Sequence, residues 1–281
     1  MKKEDITYET KMGELRLDFK NPNSNGINFI FLEGVSDVRL FRKFFDLDKC
    51  KVESIPGGNG KLEECIVTLL PIHALIVAIR DADFIRINNP SYHKKNIVLT
   101  DYHDIETTIL SCSESLSSLF SEYTSINSTD FDETLKKLMM LLSPISLFKL
   151  KNDINSRRIK FESGFIDLLD FNNFKIDLSQ YINRMLSSSK KATVTDESFL
   201  RREVESIDLQ FYDLFQLTNG HDLARVLASF FNKIHGHKGL SNKDIESNLR
   251  VSFNMDSFKK TMIYDEILKW EIDNNTSVFV A

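Results

Sequence analysis

Four acidic side chains with spacing suited to metal chemistry each follow a segment that the sequence predicts to be a strand. Carboxylates crowded into one place raise each other's pKa unless a cation neutralises them. Mg²⁺ takes oxygen ligands of this kind, and a bound divalent ion can polarise a phosphodiester and activate water. The sequence therefore predicts a Mg²⁺ site, with Mn²⁺ as a substitute, whose ligands are Glu33, Asp81, Asp83 and Glu106.

The elements that must position these acids form an alternating pattern. Segments 29–32, 74–79 and 96–99 are mainly apolar and predict strands, and 51–55 is a further short strand candidate. Amphipathic helical patterns lie between these segments or follow them. This alternation predicts an α/β fold with a doubly wound parallel sheet and helices on both faces. Open sheets of this class bind ligands at the carboxyl ends of their strands, so the four acids are expected at one edge.

Each acid also has a purely structural explanation. Glu33 could complement the dipole of the helix that begins near Ser36, and Asp81 with Asp83 could be turn or capping residues. Glu106 could belong to an ordinary first helical turn. The set is more informative than its members, because independent caps need not converge on one edge. Asp37 is expected to be a first-turn helix charge, and Asp104 an N-cap.

His221 lies where a strongly amphipathic helix is expected to begin, after Asn219 and Gly220. Backbone N–H groups at such a position can bind phosphate, so we count His221 among the candidate catalytic residues. A structural histidine with satisfied hydrogen bonds is the alternative.

Candidate substrate contacts come from basic and glycine-rich segments. The loop 56–61, PGGNGK, precedes a predicted helix and could bind an anion through its backbone and Lys61, although a flexible turn explains it equally well. Arg80 is placed either to contact substrate or to pair with a carboxylate. Two further basic groups could contact a phosphate backbone or form solvated charged faces: Lys149, Lys151, Arg157, Arg158 and Lys160, and Lys190, Lys191, Arg201 and Arg202.

The remaining segments suggest three parts. Residues 1–112 are expected to form the α/β core with an N-terminal edge strand at 14–19, residues 113–217 a helical insertion, and residues 218–281 a C-terminal helical segment that packs back on the core. Helices are expected at 131–142, 163–169, 179–186, 197–217, 221–234 and 256–270, with a mobile loop at 187–196.

Bulk composition restricts the class of protein. The 281 residues carry a net charge of −5, so attraction to nucleic acid must come from local basic patches or bound cations. Three cysteines without paired spacing argue against a disulfide framework or a zinc site and fit a reducing cytosol. The first residues lack the apolar segment of a signal peptide, and no run is long enough to span a membrane. We therefore expect a cytoplasmic protein.

Glu33-Gly34 after the first predicted core strand and Asp81-x-Asp83 after the third resemble the motifs of a TOPRIM domain. This module occurs in topoisomerases, primases and nucleases of the overcoming-lysogenization-defect class. The resemblance covers roughly residues 27 to 112. Segments 100–106 and 220–223 further resemble stand-alone TOPRIM proteins encoded beside ABC-type ATPases in bacterial phage defence, including the PARIS type.

The resemblance implies a Mg²⁺-dependent endonuclease, dimeric when active, that is the toxic effector held and released by an ATPase sensor. RNA, including tRNA, is the implied target, ahead of DNA. Glu33 would be a metal ligand or general base, Asp81 and Asp83 metal ligands, and Glu106 a supporting or second-metal carboxylate. Ile85 stands where many relatives have a third acid, which argues against a complete two-metal site.

Other functions remain open at this point. A non-catalytic TOPRIM-fold subunit could dock onto an ATPase with its acidic edge as a relic, and a DNA-cutting nuclease could share the fold. A phosphotransferase or phosphatase would need a nucleophilic aspartate in a context that the sequence does not offer.

Overall fold

The computed structural model describes residues 7–162 and 164–280 of the chain. The chain divides into two compact units. One comprises Met1–Ala82, Ser91–Asp101 and Phe253–Ala281, and the other comprises Asp83–Pro90 and Tyr102–Ser252. The three-part organisation expected from the sequence stays a prediction.

The described part of the chain alternates strands and helices at first and then becomes mainly helical. The strands are β1 (Asn28–Leu32), β2 (Cys50–Ser54), β3 (Ile76–Arg80), β4 (Ile97–Leu99), β5 (Leu169–Asp170) and β6 (Lys175–Ile176). The helices are α1 (Tyr8–Lys20), α2 (Val35–Phe41), α3 (Asn59–Leu69), α4 (Ile85–Asn88), α5 (Ile105–Leu110), α6 (Ser113–Tyr123), α7 (Phe131–Ile154), α8 (Leu178–Ser188), α9 (Glu197–Glu205), α10 (Leu214–Leu217), α11 (Gly220–Ile234), α12 (Asn242–Ser252), α13 (Met255–Phe258) and α14 (Met262–Asn274).

The first unit contains a four-stranded sheet in the order β2-β1-β3-β4, and every neighbouring pair is parallel. All five residues of β1 are buried. Because successive side chains of a strand point to opposite faces, this burial means that both faces of the sheet are covered at β1. The mixed α/β class and the parallel sheet expected from the alternation of strands and helices are confirmed, and the strands lie within two residues of the expected bounds.

One face of this sheet packs against α1 and α3. These side chains are almost completely buried. Those from β1 and β3 occupy every second position of their strand, because alternate residues of a strand point to the same face of the sheet. The cluster contains Met12, Leu15, Phe29, Phe31, Ile55, Leu62, Cys65, Ile66, Leu69, Ile76, Ala78 and Ile97.

Two buried carboxylates hold the C-terminal segment: one links α14 to the end of β4, and the other lies within the segment itself. Asp101, just after β4, accepts hydrogen bonds from the backbone N–H groups of Met262 (2.8 Å) and Ile263 (3.1 Å) at the start of α14. A carboxylate there satisfies N–H groups that a helix leaves unpaired and complements the helix dipole. Glu271, near the end of α14, accepts from the N–H groups of Val278 and Phe279.

The second unit is built around α7 and α11. Pro144 lies inside α7, where it removes one helical hydrogen bond, and the surrounding turns are nevertheless buried. Ten of the fifteen residues of α11 are buried, which fits the strong amphipathic pattern of its sequence. The Phe231 ring stacks on Tyr123 and meets Phe120 edge-on, so α6 and α11 share an aromatic core.

The expected edge strand at 14–19 is wrong, because these residues belong to α1. The alternation of Leu15, Leu17 and Phe19 resembles a strand, but Leu17 is 71% exposed whereas Leu15 is fully buried. Met12, Leu15 and Phe19 follow the three- and four-residue spacing of one helix face. The Thr7 side chain caps the first turn by accepting from the Thr10 N–H at 3.2 Å.

Of three further predicted helices, one is wrong and two are interrupted in the structure. Aspartate side chains that bond to backbone N–H groups lie where the first two of these predictions fail. At 163–169 the structure has a short 3-10 turn and then β5, and Asp170 bonds to the backbone N–H groups of Asn172 and Asn173 in the β5–β6 turn. Residue 163 lies outside the described residues. The span 197–217 breaks after α9, because Asp208 and Asp213 cap new short helices. The span 256–270 breaks into α13 and α14, with Thr261 as the N-cap of α14.

None of the helices in the described ranges is long and apolar enough to cross a membrane.

Candidate active site

Glu33 and Asp81 lie at the same edge of the parallel sheet. Glu33 directly follows β1 and Asp81 directly follows β3, and the two strands are parallel neighbours with Phe31 opposite Ala78. Continuing this register places Glu33 opposite Arg80. The two carboxylates therefore leave adjacent strands at their carboxyl ends, where α/β sheets bind ligands. Their role as metal ligands stays a prediction.

In the turn after Glu33, a glycine leaves room for the Asp37 carboxylate. The Gly34 N–H donates to Asp37 Oδ2 at 2.9 Å, and a Cβ at Gly34 would lie 2.8 Å from the same oxygen. A side chain here would collide with the carboxylate that starts α2. Asp37 is thus the first-turn acid of α2 that the sequence predicted, and its carboxylate accepts from the N-cap residue Gly34.

The glycine-rich loop between β2 and α3 lies beside Glu33. Gly57 and Gly58 have positive φ of 108° and 80°, which glycine adopts readily. A Cβ at Gly58 would lie 3.6 Å from Glu33 Oε1, so the loop backbone faces the carboxylate. Lys61 forms an ion pair with Glu64 at 2.7 Å and lies 4.5 Å from the centre of the Tyr8 ring. Its expected contact with substrate stays a prediction.

Arg80 pairs with a carboxylate, which is one of the two arrangements considered for it. Its guanidinium bonds to Glu63, which also accepts from Tyr92 and Lys94. Burial raises the pKa of Glu63, but the bonds from Lys94 and Tyr92 and the charge of Arg80 outweigh it, so the net shift is downward. Burial and the bond to Glu63 raise the pKa of Tyr92 to about 12.

Asp83 is the first residue of the second unit. Its backbone has a left-handed conformation, with φ of 47°. Aspartate tolerates this region better than most residues. The Asp83 N–H donates to the His103 carbonyl at 2.7 Å, and its Oδ1 lies 4.0 Å from His103 Nε2. His103 is buried, and its Nδ1 lies 3.2 Å from the Gln216 carbonyl oxygen. That histidine therefore has a backbone partner within the same unit.

The N-terminal turns of α5 and α11 are joined by a single carboxylate. Asp104 caps α5 by accepting from the Thr107 N–H at 3.0 Å, and it also accepts from the Gly220 N–H at 2.5 Å. A Cβ at Gly220 would lie 2.5 Å from Glu106 Cβ. The expected N-cap role of Asp104 is confirmed, and the close approach explains why glycine begins α11.

Glu106 and His221, both expected to be site residues, converge on a third residue that the sequence did not indicate. One ligand atom each from Glu106, His221 and Glu246 lies within 4.8 Å of the other two. Glu106 is 3% exposed, and His221 Nδ1 lies 3.1 Å from Glu246 Oε1. Glu246 follows the buried Ile245 in α12, 25 residues beyond His221, and no motif spacing marks it in the sequence.

Carboxylates set the charge of this histidine. The hydrogen bond that His221 donates to Glu246 raises the pKa of His221 to about 9 against the opposing effect of burial, and the charges of Glu106 and Asp104 act in the same direction as that bond. For Glu246, burial raises the pKa, but the bonds from His221 and Asn242 lower it overall. Without an ion, the group is a charged His–Glu pair with a second carboxylate beside it.

The two groups of side chains differ in the ions that they suit. Glu33 and Asp81 offer only oxygen, as Mg²⁺ prefers, and they fit the expected ion. Glu106, His221 and Glu246 combine two carboxylates with an imidazole, a donor that suits transition metals. Glu106 therefore lies in a mixed-donor group within its own unit.

The first basic group contains two residues with structural partners. Arg157 is 5% exposed and makes two bonds to Glu203, of 2.6 and 2.7 Å. Lys149 pairs with the buried Asp222. Asp222 is buried and Glu203 is partly buried, so both cations are held by carboxylates, which weakens the case for this group as a phosphate-backbone contact.

Comparison with known proteins adds no relative from which a role could be transferred. No family model matches the sequence, and no curated protein matches it.

Proposed function

We propose that this protein is a metal-dependent endonuclease of the TOPRIM type that hydrolyses phosphodiester bonds in RNA, with tRNA as a candidate substrate. The observation that carries the proposal is the position of Glu33 and Asp81 at the carboxyl ends of the adjacent parallel strands β1 and β3. Neighbouring strands lie about 4.8 Å apart, a separation across which two carboxylates can share an ion. The sequence predicts Asp83, two residues after Asp81, as a further ligand.

In this mechanism the protein contributes positioning and charge. A bound Mg²⁺ would supply Lewis acidity toward the phosphodiester and stabilise the leaving oxygen. Glu33 and Asp81 would hold the ion, and the Gly34–Asp37 bond fixes the turn that aims Glu33. The Gly57-Gly58 backbone faces Glu33, and a glycine-rich approach of this kind lets a phosphate come close to the main chain.

We place this activity in a bacterial anti-phage system, as the toxic effector released or activated by an ABC-type ATPase sensor. The effector would be cytoplasmic and act as a homodimer. Support comes from the resemblance of the segments around Glu106 and His221 to stand-alone TOPRIM effectors. Expression of the chain alone in growing bacteria is expected to arrest growth, whereas expression of a Glu33→Gln variant is expected to leave growth normal.

The decisive test is cleavage by the purified full chain. We expect cleavage of total tRNA in MgCl₂, its loss with excess chelator, and its recovery when Mg²⁺ or Mn²⁺ is returned. Glu33→Gln and Asp81→Asn should each reduce the rate by ~100-fold or more, because each removes a charged ligand from the ion. Glu9→Gln, at an exposed position of α1, is the charge-matched control and should cleave at the normal rate.

Other outcomes would identify the competing functions. If Glu33→Gln cut tRNA at the normal rate with an unchanged thermal midpoint, the proposed site would be wrong. A chain that bound no Mg²⁺ in calorimetry and cut neither RNA nor DNA would be a non-catalytic TOPRIM-fold subunit. Cleavage of plasmid DNA without cleavage of RNA would keep the mechanism and change the substrate.

A further inference from the structure

The second unit brings together three potential metal ligands from three different helices. Glu106 comes from the first turn of α5, His221 from the first turn of α11, and Glu246 from α12. Two are carboxylates and one is an imidazole, so the group differs in chemistry from the oxygen-only pair of Glu33 and Asp81. A group assembled from distant segments needs contacts that hold those segments in fixed positions.

The backbone around this group provides such contacts. The Gly220–Asp104 hydrogen bond of 2.5 Å ties the start of α11 to the start of α5. Because Gly220 has no side chain, Glu106 can lie close to it. On α12, Ile245 and Leu249 are completely buried, which fixes the rotation of that helix. Asn242 Nδ2 donates to Glu246 Oε1 at 3.1 Å and helps to orient the carboxylate.

The distances suit an ion with short bonds. Ligand bonds of about 2.0–2.2 Å at tetrahedral or octahedral angles place neighbouring ligand atoms roughly 3.0–3.5 Å apart. His221 Nδ1 and Glu246 Oε1 already lie 3.1 Å apart. All three ligand atoms lie within 4.8 Å of one another, so a modest side-chain rotation would complete a three-ligand set, with water in the remaining positions.

We propose that Glu106, His221 and Glu246 form a binding site for a divalent transition-metal ion, with Zn²⁺ preferred over Mn²⁺ and both preferred over Mg²⁺. Imidazole binds Zn²⁺ well, whereas Mg²⁺ selects oxygen and retains its waters. The order of the two transition ions follows their general order of affinity for nitrogen and oxygen ligands. Glu106 thereby serves an ion other than the Mg²⁺ expected at Glu33. The site does not depend on the proposed nuclease activity.

The test is a calorimetric titration of ZnCl₂ into the full-length Glu33→Gln chain in the presence of millimolar MgCl₂. The excess Mg²⁺ occupies oxygen-only sites, and the Glu33→Gln substitution weakens the other predicted site. We expect one Zn²⁺ per chain. His221→Gln in the same background should weaken binding by ~10-fold or more, because loss of residues that merely orient metal ligands already costs 10–100-fold.

A matched histidine substitution and a second ligand substitution make the result decisive. His93→Gln, at an exposed position, should leave Zn²⁺ affinity unchanged, whereas Glu246→Gln should weaken it as His221→Gln does. Circular dichroism would establish that each variant is folded, and if His221→Gln unfolds, Glu246→Gln decides the question. Equal affinity in all folded variants, or no Zn²⁺ binding by the parent chain, would mean that the group is only a His–Glu ion pair.

The two proposals fail separately. Persistent tRNA cleavage by Glu33→Gln would refute the nuclease site and leave the Zn²⁺ titration unaffected. Absence of Zn²⁺ binding by the Glu33→Gln chain, with normal Mg²⁺-dependent cleavage by the unsubstituted chain, would refute only the present inference.

Discussion

The backbone N–H of Gly220 donates a 2.5 Å hydrogen bond to the Asp104 carboxylate, which at the same time caps α5. Through this one side chain the first turns of α5 and α11 are held against each other. Glu106 lies two residues after Asp104, and His221 lies one residue after Gly220, so this hydrogen bond brings Glu106 and His221 close together. The first prediction tests it directly.

Gly220→Ala should destabilise the protein by ~1–3 kcal/mol, the usual effect of forcing extra volume into a packed site. The added methyl group would lie 2.5 Å from Glu106 Cβ and would also collide with the Asp104 carboxylate. Urea unfolding followed by circular dichroism measures the change. Gly13→Ala is the control, since nothing lies within 4 Å of its Cβ position inside α1 and alanine favours helix by ~0.5–1 kcal/mol. Gly220→Ala stability at or above that of the parent chain would contradict the assigned contact.

Gly58→Ala should destabilise the protein by ~1–3 kcal/mol through its backbone alone. Gly58 has φ of 80° and ψ of −177°, a region that is accessible essentially only to glycine. Because its Cβ would point toward Glu33 at 3.6 Å, relaxation of this strain should also weaken Mg²⁺ binding. Gly60→Ala, within α3 and with open space around its Cβ position, should not destabilise the protein and should leave Mg²⁺ binding unchanged. Equal unfolding free energies for the two variants would refute this account of the loop.

Asp101→Asn should destabilise the protein by ~1–2 kcal/mol, as loss of a charged helix N-terminal partner does. Asp101 is 9% exposed and receives both the Met262 and the Ile263 N–H groups. Asparagine keeps one acceptor and loses the charge that complements the start of α14. Denaturant unfolding measures the effect, and Asp273→Asn, at an exposed position near the other end of α14, should be within ~0.5 kcal/mol of the parent.

The Glu63 cluster should make stability depend on acid pH. The folded-state pKa of Glu63 is lowered, because Lys94, Tyr92 and Arg80 together outweigh its burial. A carboxyl with a depressed pKa contributes stability above its unfolded pKa of about 4.3, and the contribution disappears as pH falls through the folded value. Glu63→Gln should therefore reduce the unfolding free energy at pH 7 and flatten its decline below pH 5. Parallel pH–stability curves for the two proteins would contradict the network.

Short, strongly patterned segments of this chain could be interpreted from the sequence, because their local pattern and their burial agree. β1, β3 and β4 are almost entirely apolar, as buried parallel strands are, whereas β2 is mixed, and the alternation of these strands with helices predicted the parallel sheet. Capping chemistry was equally local: Asp37 and Asp104 satisfy N–H groups three residues away or less. Residues 14–19 failed because Leu17 is exposed, and apolar spacing alone does not reveal which apolar side chains are buried.

The sequence by itself predicted the α/β class and placed Glu33 and Asp81 after two strands of one sheet, because the direction of a parallel sheet carries every strand end to the same edge. The structure added that these two strands, β1 and β3, are neighbours. Only the tertiary structure decided that Arg80 is held by Glu63 and that Glu246 joins Glu106 and His221. Those partners lie 17 or more residues apart in the chain. These contacts depend on how whole helices rotate and pack, which buried contacts such as that between Gly220 and Asp104 determine. Helix packing of this kind produces no periodic pattern in the sequence at the residues that it brings together.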